Sequence, residues 1–96
     1  MINEVVTVMT SAGEYVGKLV EQTNYTLELS NPRLIVTTEQ GMGFASGIAM
    51  TSGENAKQAV FRDYIFVTEA NEQVADAWLE QTSGIVLPKA SGIIGA

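Results

Sequence analysis

The chain has 96 residues and contains neither cysteine nor histidine. Without cysteine it has no disulfide framework, no thiol nucleophile and no thiolate metal site, and this agrees with a cytoplasmic protein. Without histidine it lacks the commonest general base and the commonest metal ligand. An activated serine or threonine hydroxyl would therefore need an unusual base. We expect the protein not to be an enzyme, and we expect no cofactor and no metal site.

Basic residues are scarce, because five Lys and Arg stand against eleven Asp and Glu and give a net charge of −6. A protein that coats duplex nucleic acid shows the opposite balance, since Lys and Arg supply the affinity for phosphates. An acidic chain can still bind a single strand through a local patch that stacks bases. The composition argues against duplex binding and leaves single-strand binding open.

Long apolar runs are also missing. None approaches the roughly 20 residues that span a bilayer. A signal peptide has a basic segment before its apolar one, and the opening "MINEVVTV" has no such segment. We expect no membrane contact. The length and the hydrophobic fraction of 46% predict a single domain, residues 1–96, with a modest core. Domains of this size often gain stability by oligomerising.

Strand signals fill the chain from roughly residue 4 to residue 68. Gly17 predicts a bend within a strand, and Pro32 predicts a bulge or an edge position because proline cannot donate to a ladder. The section 39–58 is predicted to be irregular or extended. The five predicted core strands are "VVTVMT" (5–10), "EYVGKLVEQT" (14–23), "TLEL" (26–29) resuming as "RLIVTTE" (33–39), "KQAVF" (57–61) and "YIFVT" (64–68).

The glycine-rich stretch "GMGFASG" (41–47) invites comparison with a phosphate-binding loop. It does not match G-x-G-x-x-G, no Lys-Ser/Thr follows it, and no helix pattern begins there. Its glycines are predicted to serve turns or bulges in a β-hairpin instead.

The hydrophobic period changes after residue 70. Val74 and Trp78 are spaced i,i+4, as are Ala75 and Leu79, which predicts a helix over roughly 71–83. Asn71 is the expected N-cap and Gly84 the expected stop. A helix this short does not hold together alone in water, so Trp78 is expected to dock on the rest of the domain. The tail, 85–96, is expected to be partly ordered or to pack against a neighbouring subunit.

Two short segments are candidates for binding. The first is Asn24-Tyr25, at the turn between the second and third strands, where an aromatic ring beside an amide can stack a base and hydrogen-bond its edge. Alternatively, Tyr25 covers one end of the domain with its hydroxyl in water. The second is Arg62-Asp63, predicted to be a tight turn between the last two strands. Alternatively, Arg62 is neutralised internally by Asp63.

These segments and the strand order resemble the Sm and Sm-like proteins, which are RNA-binding five-stranded barrels that assemble into rings. "VTVMTSAGEYVGKLVEQTNYTLEL" is similar to the first family motif, with Gly17 at the bend and Leu-x-Leu in the third strand. "VFRDYIFV" is similar to the second motif, with Arg62 at the family's arginine. The resemblance implies a mainly β fold, namely a small, strongly bent, five-stranded Sm-like (SH3-like) barrel with a C-terminal helix.

The resemblance also implies a binding site, since the family's two motif turns line the pore of the ring and hold the bases. The residues that it implies for nucleic-acid binding are Asn24, Tyr25, Thr26, Arg62 and Asp63. The chain departs from the family pattern in several places. Thr23 and Thr26 replace the family's Asp and Asn, Asp63 stands where glycine is usual, and the helix follows the strands. Such divergent members are associated with phage and marine bacterial sequences.

An open last strand supports the ring on physical grounds. The run "YIFV" (64–67) is apolar on both faces, which predicts burial on both faces. Pairing that adhesive edge head-to-tail with the fourth strand of a neighbour closes a cyclic homo-oligomer. The resulting hypothesis is a ring that binds single-stranded RNA or DNA and acts in nucleic-acid processing. The alternative is a structural or assembly module, for instance of a phage particle, that acts through protein contacts alone.

Overall fold

The computed structural model describes residues 1–45, 47–83 and 93–94 of the chain. The prediction of a mainly β domain followed by a helix is confirmed, and β4 and β7 add to the predicted strands. The elements are β1 (Val5–Thr10), β2 (Gly13–Gln22), β3 (Thr26–Thr38), β4 (Gly41–Phe44), β5 (Gln58–Arg62), β6 (Phe66–Glu69), α1 (Glu72–Ser83) and β7 (Ile93–Ile94).

The strands form one open sheet in the order β6-β1-β2-β3-β4-β7, with β5 also paired to β3. Pairing among β1 to β6 is antiparallel, whereas β7 runs parallel to β4. The strand β3 carries three partners: β2, then β5 along Thr26–Ser30, then β4 along 35–38. Within the described residues, β5 and β6 follow one another in the chain but do not pair.

The strand β3 bends at Asn31, which has a left-handed φ of 50°. Asparagine tolerates this conformation better than most residues. The bend turns the Asn31 carbonyl toward the helix, where it accepts a hydrogen bond of 2.9 Å from Trp78 Nε1. The two segments predicted on either side of "SNPR" therefore belong to one continuous strand, and the predicted irregularity is this bend, with Pro32 buried beside it.

Gly17 marks an irregularity in β2, as predicted. The register between β2 and β3 shifts between Val16 and Lys18. A Cβ atom at Gly17 would lie 3.0 Å from Leu29 Cβ and 3.1 Å from the Ser30 carbonyl oxygen, which is closer than most Cβ atoms approach their neighbours. Glycine is favoured here because a side chain would press against Leu29 and the backbone of β3.

Apolar side chains form a core on each face of the sheet. The first core contains Val6, Val8, Tyr15, Leu19, Leu27 and Leu29, with Phe61, Tyr64 and Val67 packed against it. The second core lies under the helix and contains Val16, Phe44, Val74, Ala77 and Trp78. The alternation of strand side chains thus supplies both faces.

The helix α1 begins one residue after its predicted start. Asn71 is the N-cap, because its Oδ1 accepts a hydrogen bond of 2.8 Å from the Val74 amide. Trp78 docks as predicted and is buried with Val74, but Leu79 is 37% exposed. The buried face of the helix consists of Val74, Ala77 and Trp78. The predicted stop at Gly84 lies outside the described residues, as does the tail 85–96 except for β7.

The section 39–58 combines a hairpin with a loop. Gly41, with φ of 124°, closes the turn between β3 and β4, which confirms a hairpin role for one glycine of the "GMGFASG" stretch. Farther on, the Ser52 hydroxyl oxygen accepts hydrogen bonds from the amides of Ile48 and Ala49 and fixes a turn. No helix among the described residues is long and apolar enough to cross a membrane.

Candidate nucleic-acid interface

The two predicted binding segments lie side by side. Thr26, the first residue of β3, is the antiparallel Cα partner of Arg62, the last residue of β5. The turn between β2 and β3 and the turn between β5 and β6 therefore meet at one end of the sheet. Residues 36 positions apart in sequence form one surface because β5 pairs with the first half of β3.

The turn between β2 and β3 is organised by Thr23. Its Oγ1 accepts hydrogen bonds from the Tyr25 amide at 3.2 Å and from the Thr26 amide at 3.0 Å. Its backbone amide donates to the Thr26 carbonyl at 2.8 Å, and the two threonine hydroxyls lie 2.9 Å apart. Such side-chain-to-backbone bonds hold a turn in one conformation. Thr23 thus has a positioning role that the sequence pattern did not reveal.

Tyr25 lies at the tip of this turn and is 74% exposed, with Asn24 exposed beside it. The ring is therefore available on the surface and contributes little to the core. An exposed ring on an ordered turn can stack an unpaired base at a small conformational cost. The alternative in which Tyr25 covers one end of the domain does not agree with this exposure.

The Arg62-Asp63 turn is tight, as predicted. Asp63 has a left-handed φ of 57°, a conformation that glycine adopts most easily and that Asp tolerates. Asp63 can therefore occupy a position where glycine is usual. In the described part of the chain, Arg62 forms no salt bridge with Asp63, and its side chain makes no hydrogen bond. Its guanidinium group is exposed and free to bind an external partner.

Tyr64 and Gln22 join the two turns and were not predicted as site residues. Gln22 Nε2 donates a hydrogen bond of 3.0 Å to the Tyr64 hydroxyl oxygen. The Tyr64 ring also packs against the first core. This bond ties the end of β2 to the segment after Asp63 and restrains the surface between Tyr25 and Arg62. A tyrosine immediately after the turn was the only signal in the sequence for this link.

Negative charge lies close to this surface. Glu21 and Glu28 are Cα partners across β2 and β3, and both line a groove of about 150 Å³ together with Thr26, Leu27 and Val60. Two carboxylates facing the same groove repel phosphate. No group of three or more metal-binding side chains occurs in residues 1–45 and 47–83.

Comparison with protein-family models, with curated proteins and with solved structures found no match to the chain.

Proposed function

We propose that the protein is an Sm-like, ring-forming protein that binds single-stranded RNA, or single-stranded DNA, without catalysing a reaction. The observation that carries the proposal is the pairing of Thr26 with Arg62. It joins an exposed aromatic turn to a free guanidinium group, and these are the two elements that single-strand recognition combines. The resemblance to the Sm-like motifs points to the same pair of turns.

Each residue of the surface has a chemical role in this proposal. Tyr25 stacks a base, and Asn24 hydrogen-bonds the edge of that base. Arg62 contacts a phosphate or stacks on a neighbouring base. The Thr26 hydroxyl contacts the Thr23 hydroxyl and can still form a further hydrogen bond, which it makes to the nucleic acid. Asp63 shapes the turn that presents Arg62.

The free edges of β5 and β6 support the ring. Each strand has one partner among the described residues, so each presents unpaired backbone groups on its other side. Ile65 and Val60 are each 65% exposed, and Phe66 is exposed as well. Two consecutive residues of the apolar run 64–67, Ile65 and Phe66, are thus uncovered in the single chain. Head-to-tail pairing of β6 with β5 of a neighbour would cover them and place one Arg62 per subunit around the axis.

An assembly module that acts through protein contacts is the second candidate. The exposed apolar residues of β5 and β6 favour it, because such edges bind other polypeptides as readily as copies of the same chain. The Glu21 and Glu28 pair favours it too, since it opposes binding of phosphates close to the turns. In this function the surface at Tyr25 would contact a protein partner.

Fluorescence anisotropy of labelled U-rich and A-rich RNAs, titrated with the purified protein at low and near-physiological salt, tests the proposal. We expect saturable binding in the micromolar range or tighter, with different affinities for the two RNAs. Absence of binding at low salt, from protein that circular dichroism shows to be folded, would favour the assembly module. Light scattering on the same sample tests the ring separately, and a monomeric mass would contradict it.

A further inference from the structure

Arg33 is a buried arginine in the middle of β3. Only 4% of its surface is exposed. Its Nη1 atom donates hydrogen bonds to two carbonyl oxygens, Pro32 at 2.8 Å and Ala56 at 3.2 Å. These bonds connect β3 to loop 47–57. Its Nε atom is buried and has no hydrogen-bond partner.

Among the described residues, the charge of Arg33 has no counter-ion, because no carboxylate forms a salt bridge with it. Burial lowers the pKa of the Arg33 guanidinium below its ordinary value, and it is the only cause of that shift. A buried charge without a counter-ion carries a large desolvation penalty, and buried charges in proteins are generally paired. In a chain with eleven acidic residues, an unpaired buried cation requires an explanation.

The hydrogen bonds of Arg33 leave one edge of the guanidinium group unused. The two carbonyls occupy Nη1, so the edge formed by Nε and Nη2 remains. Two parallel N–H groups on one edge match the two oxygens of a phosphate or a carboxylate. We propose that Arg33 is the binding residue of an oxyanion site, in which a phosphate-like anion accepts hydrogen bonds from Nε and Nη2. Because Nε is buried, binding of the anion requires that the residues covering it be displaced.

This site is separate from the surface around Thr26 and Arg62. Arg33 and Thr26 are seven positions apart on β3, with the bend at Asn31 between them. Arg33 pairs with Val16, whose side chain belongs to the core under the helix. An oxyanion at Arg33 therefore does not depend on the proposed binding of nucleic acid, and either proposal can fail without the other.

Thermal unfolding of the full chain in inorganic phosphate tests the proposal, with sodium chloride at equal ionic strength as the reference. We expect the midpoint of the wild type to rise by several degrees and to saturate, because a ligand that binds only the folded state stabilises it. Arg33→Met should lose the saturable rise, whereas Lys18→Met, which removes an exposed positive charge outside both proposed sites, should keep it. A rise that does not saturate and is equal in wild type and Arg33→Met is the general salting effect of phosphate and would overturn the proposal.

A second measurement is needed because Arg33→Met leaves the Pro32 and Ala56 carbonyls unpaired and is expected to be less stable. Phosphorus NMR of inorganic phosphate with the wild-type protein detects binding directly. We expect line broadening with the wild type and with Lys18→Met, and reduced broadening with Arg33→Lys, which keeps the charge but loses the paired N–H groups. No broadening with the wild type would show that Arg33 serves only to join loop 47–57 to β3. Acetate in place of phosphate tests whether a carboxylate binds at the same site.

Discussion

Thr26 and Arg62 stand directly opposite each other, at the start of β3 and the end of β5. Arg62 is exposed and, within the described residues, has no carboxylate partner. Thr26, its partner in the neighbouring strand, directly follows the exposed Tyr25. This relationship makes a single surface of two turns that are distant in sequence, and it determines which substitutions should affect binding and which should affect stability.

Arg62→Ala should weaken the binding of single-stranded RNA and flatten its dependence on salt. Each phosphate contact that is lost should reduce the slope of log K against log salt by about 0.7, because fewer counter-ions are released. Stability should be unchanged, since the side chain has no partner in the described structure. Anisotropy titrations at several salt concentrations measure the slope.

Lys57→Ala is the matched control for Arg62→Ala. It also removes one positive charge. Lys57 directly precedes β5, whereas Arg62 ends it, and the Lys57 side chain is exposed and far from the Tyr25 turn. We expect only a small change in affinity. Equal losses in the two variants would mean that net charge, and not the Arg62 turn, governs binding.

Tyr25→Ala should weaken RNA binding through the loss of one stacked base, which is worth about 1–3 kcal/mol. Tyr25→Phe retains the ring and should bind nearly as well as the wild type. The unfolding midpoint should not change in either variant, because the ring is exposed. Wild-type affinity in Tyr25→Ala would remove this residue from the interface.

Thr23→Val should loosen the turn between β2 and β3. It removes the Oγ1 that accepts from the Tyr25 and Thr26 amides, and we expect a loss of about 1 kcal/mol in the free energy of unfolding. Thr23→Ser keeps the hydroxyl and should restore both stability and RNA affinity. Urea unfolding and anisotropy on the pair measure the two effects. If valine and serine behave alike, the hydroxyl does not hold the turn.

Gly17→Ala should destabilise the domain by about 1–3 kcal/mol, because the added methyl group meets Leu29 Cβ at 3.0 Å. Gly53→Ala adds the same methyl group in open space, where nothing lies within 4 Å. That control should change stability by less than about 0.5 kcal/mol. Chemical unfolding of both variants measures the difference, and an equal loss would show that the contact with Leu29 is not its cause.

Trp78→Phe should lower the free energy of unfolding by about 1–3 kcal/mol. Phenylalanine fills part of the volume but cannot donate to the Asn31 carbonyl, which then lacks its partner at the bend of β3. Leu79→Ala changes the adjacent, more exposed position and should have a smaller effect. Far-ultraviolet circular dichroism follows unfolding without relying on tryptophan fluorescence, and equal effects would argue against a docking role for Trp78.

The strands and the helix were predictable where local patterns agree with tertiary packing. Alternating β-branched residues identified β1 and β2, and the i,i+4 spacing of Val74 and Trp78 identified α1. The spacing did not show that Ala77 would complete the buried face, because the face of a helix that docks depends on the surface beneath it. The continuity of β3 was missed since a left-handed asparagine can bend a strand without ending it.

The sequence predicted the two turns of the candidate site but not the hydrogen bonds that hold them in place. An aromatic turn and an arginine turn stand out in the sequence, and the structure brings them together. The supporting bonds of Thr23 and the link between Gln22 and Tyr64 depend on distances that no spacing rule contains. The unpaired burial of Arg33 is equally invisible in sequence, because five basic residues scattered along the chain carry no sign of which one is buried.

The pairing of β3 with three strands has a consequence for the order in which the molecule opens. The ladder between Ser30 and Gln58 closes a loop of 27 intervening residues, whereas short turns close the β1–β2 and β2–β3 hairpins. Closing the longer loop costs more chain entropy, so this ladder is expected to form late and to open early. When it opens, Arg62 leaves Thr26 and the shared surface disappears. A nucleic-acid strand bound to both turns would hold β5 against β3. Its binding should therefore slow amide hydrogen exchange in β5 more than in β1.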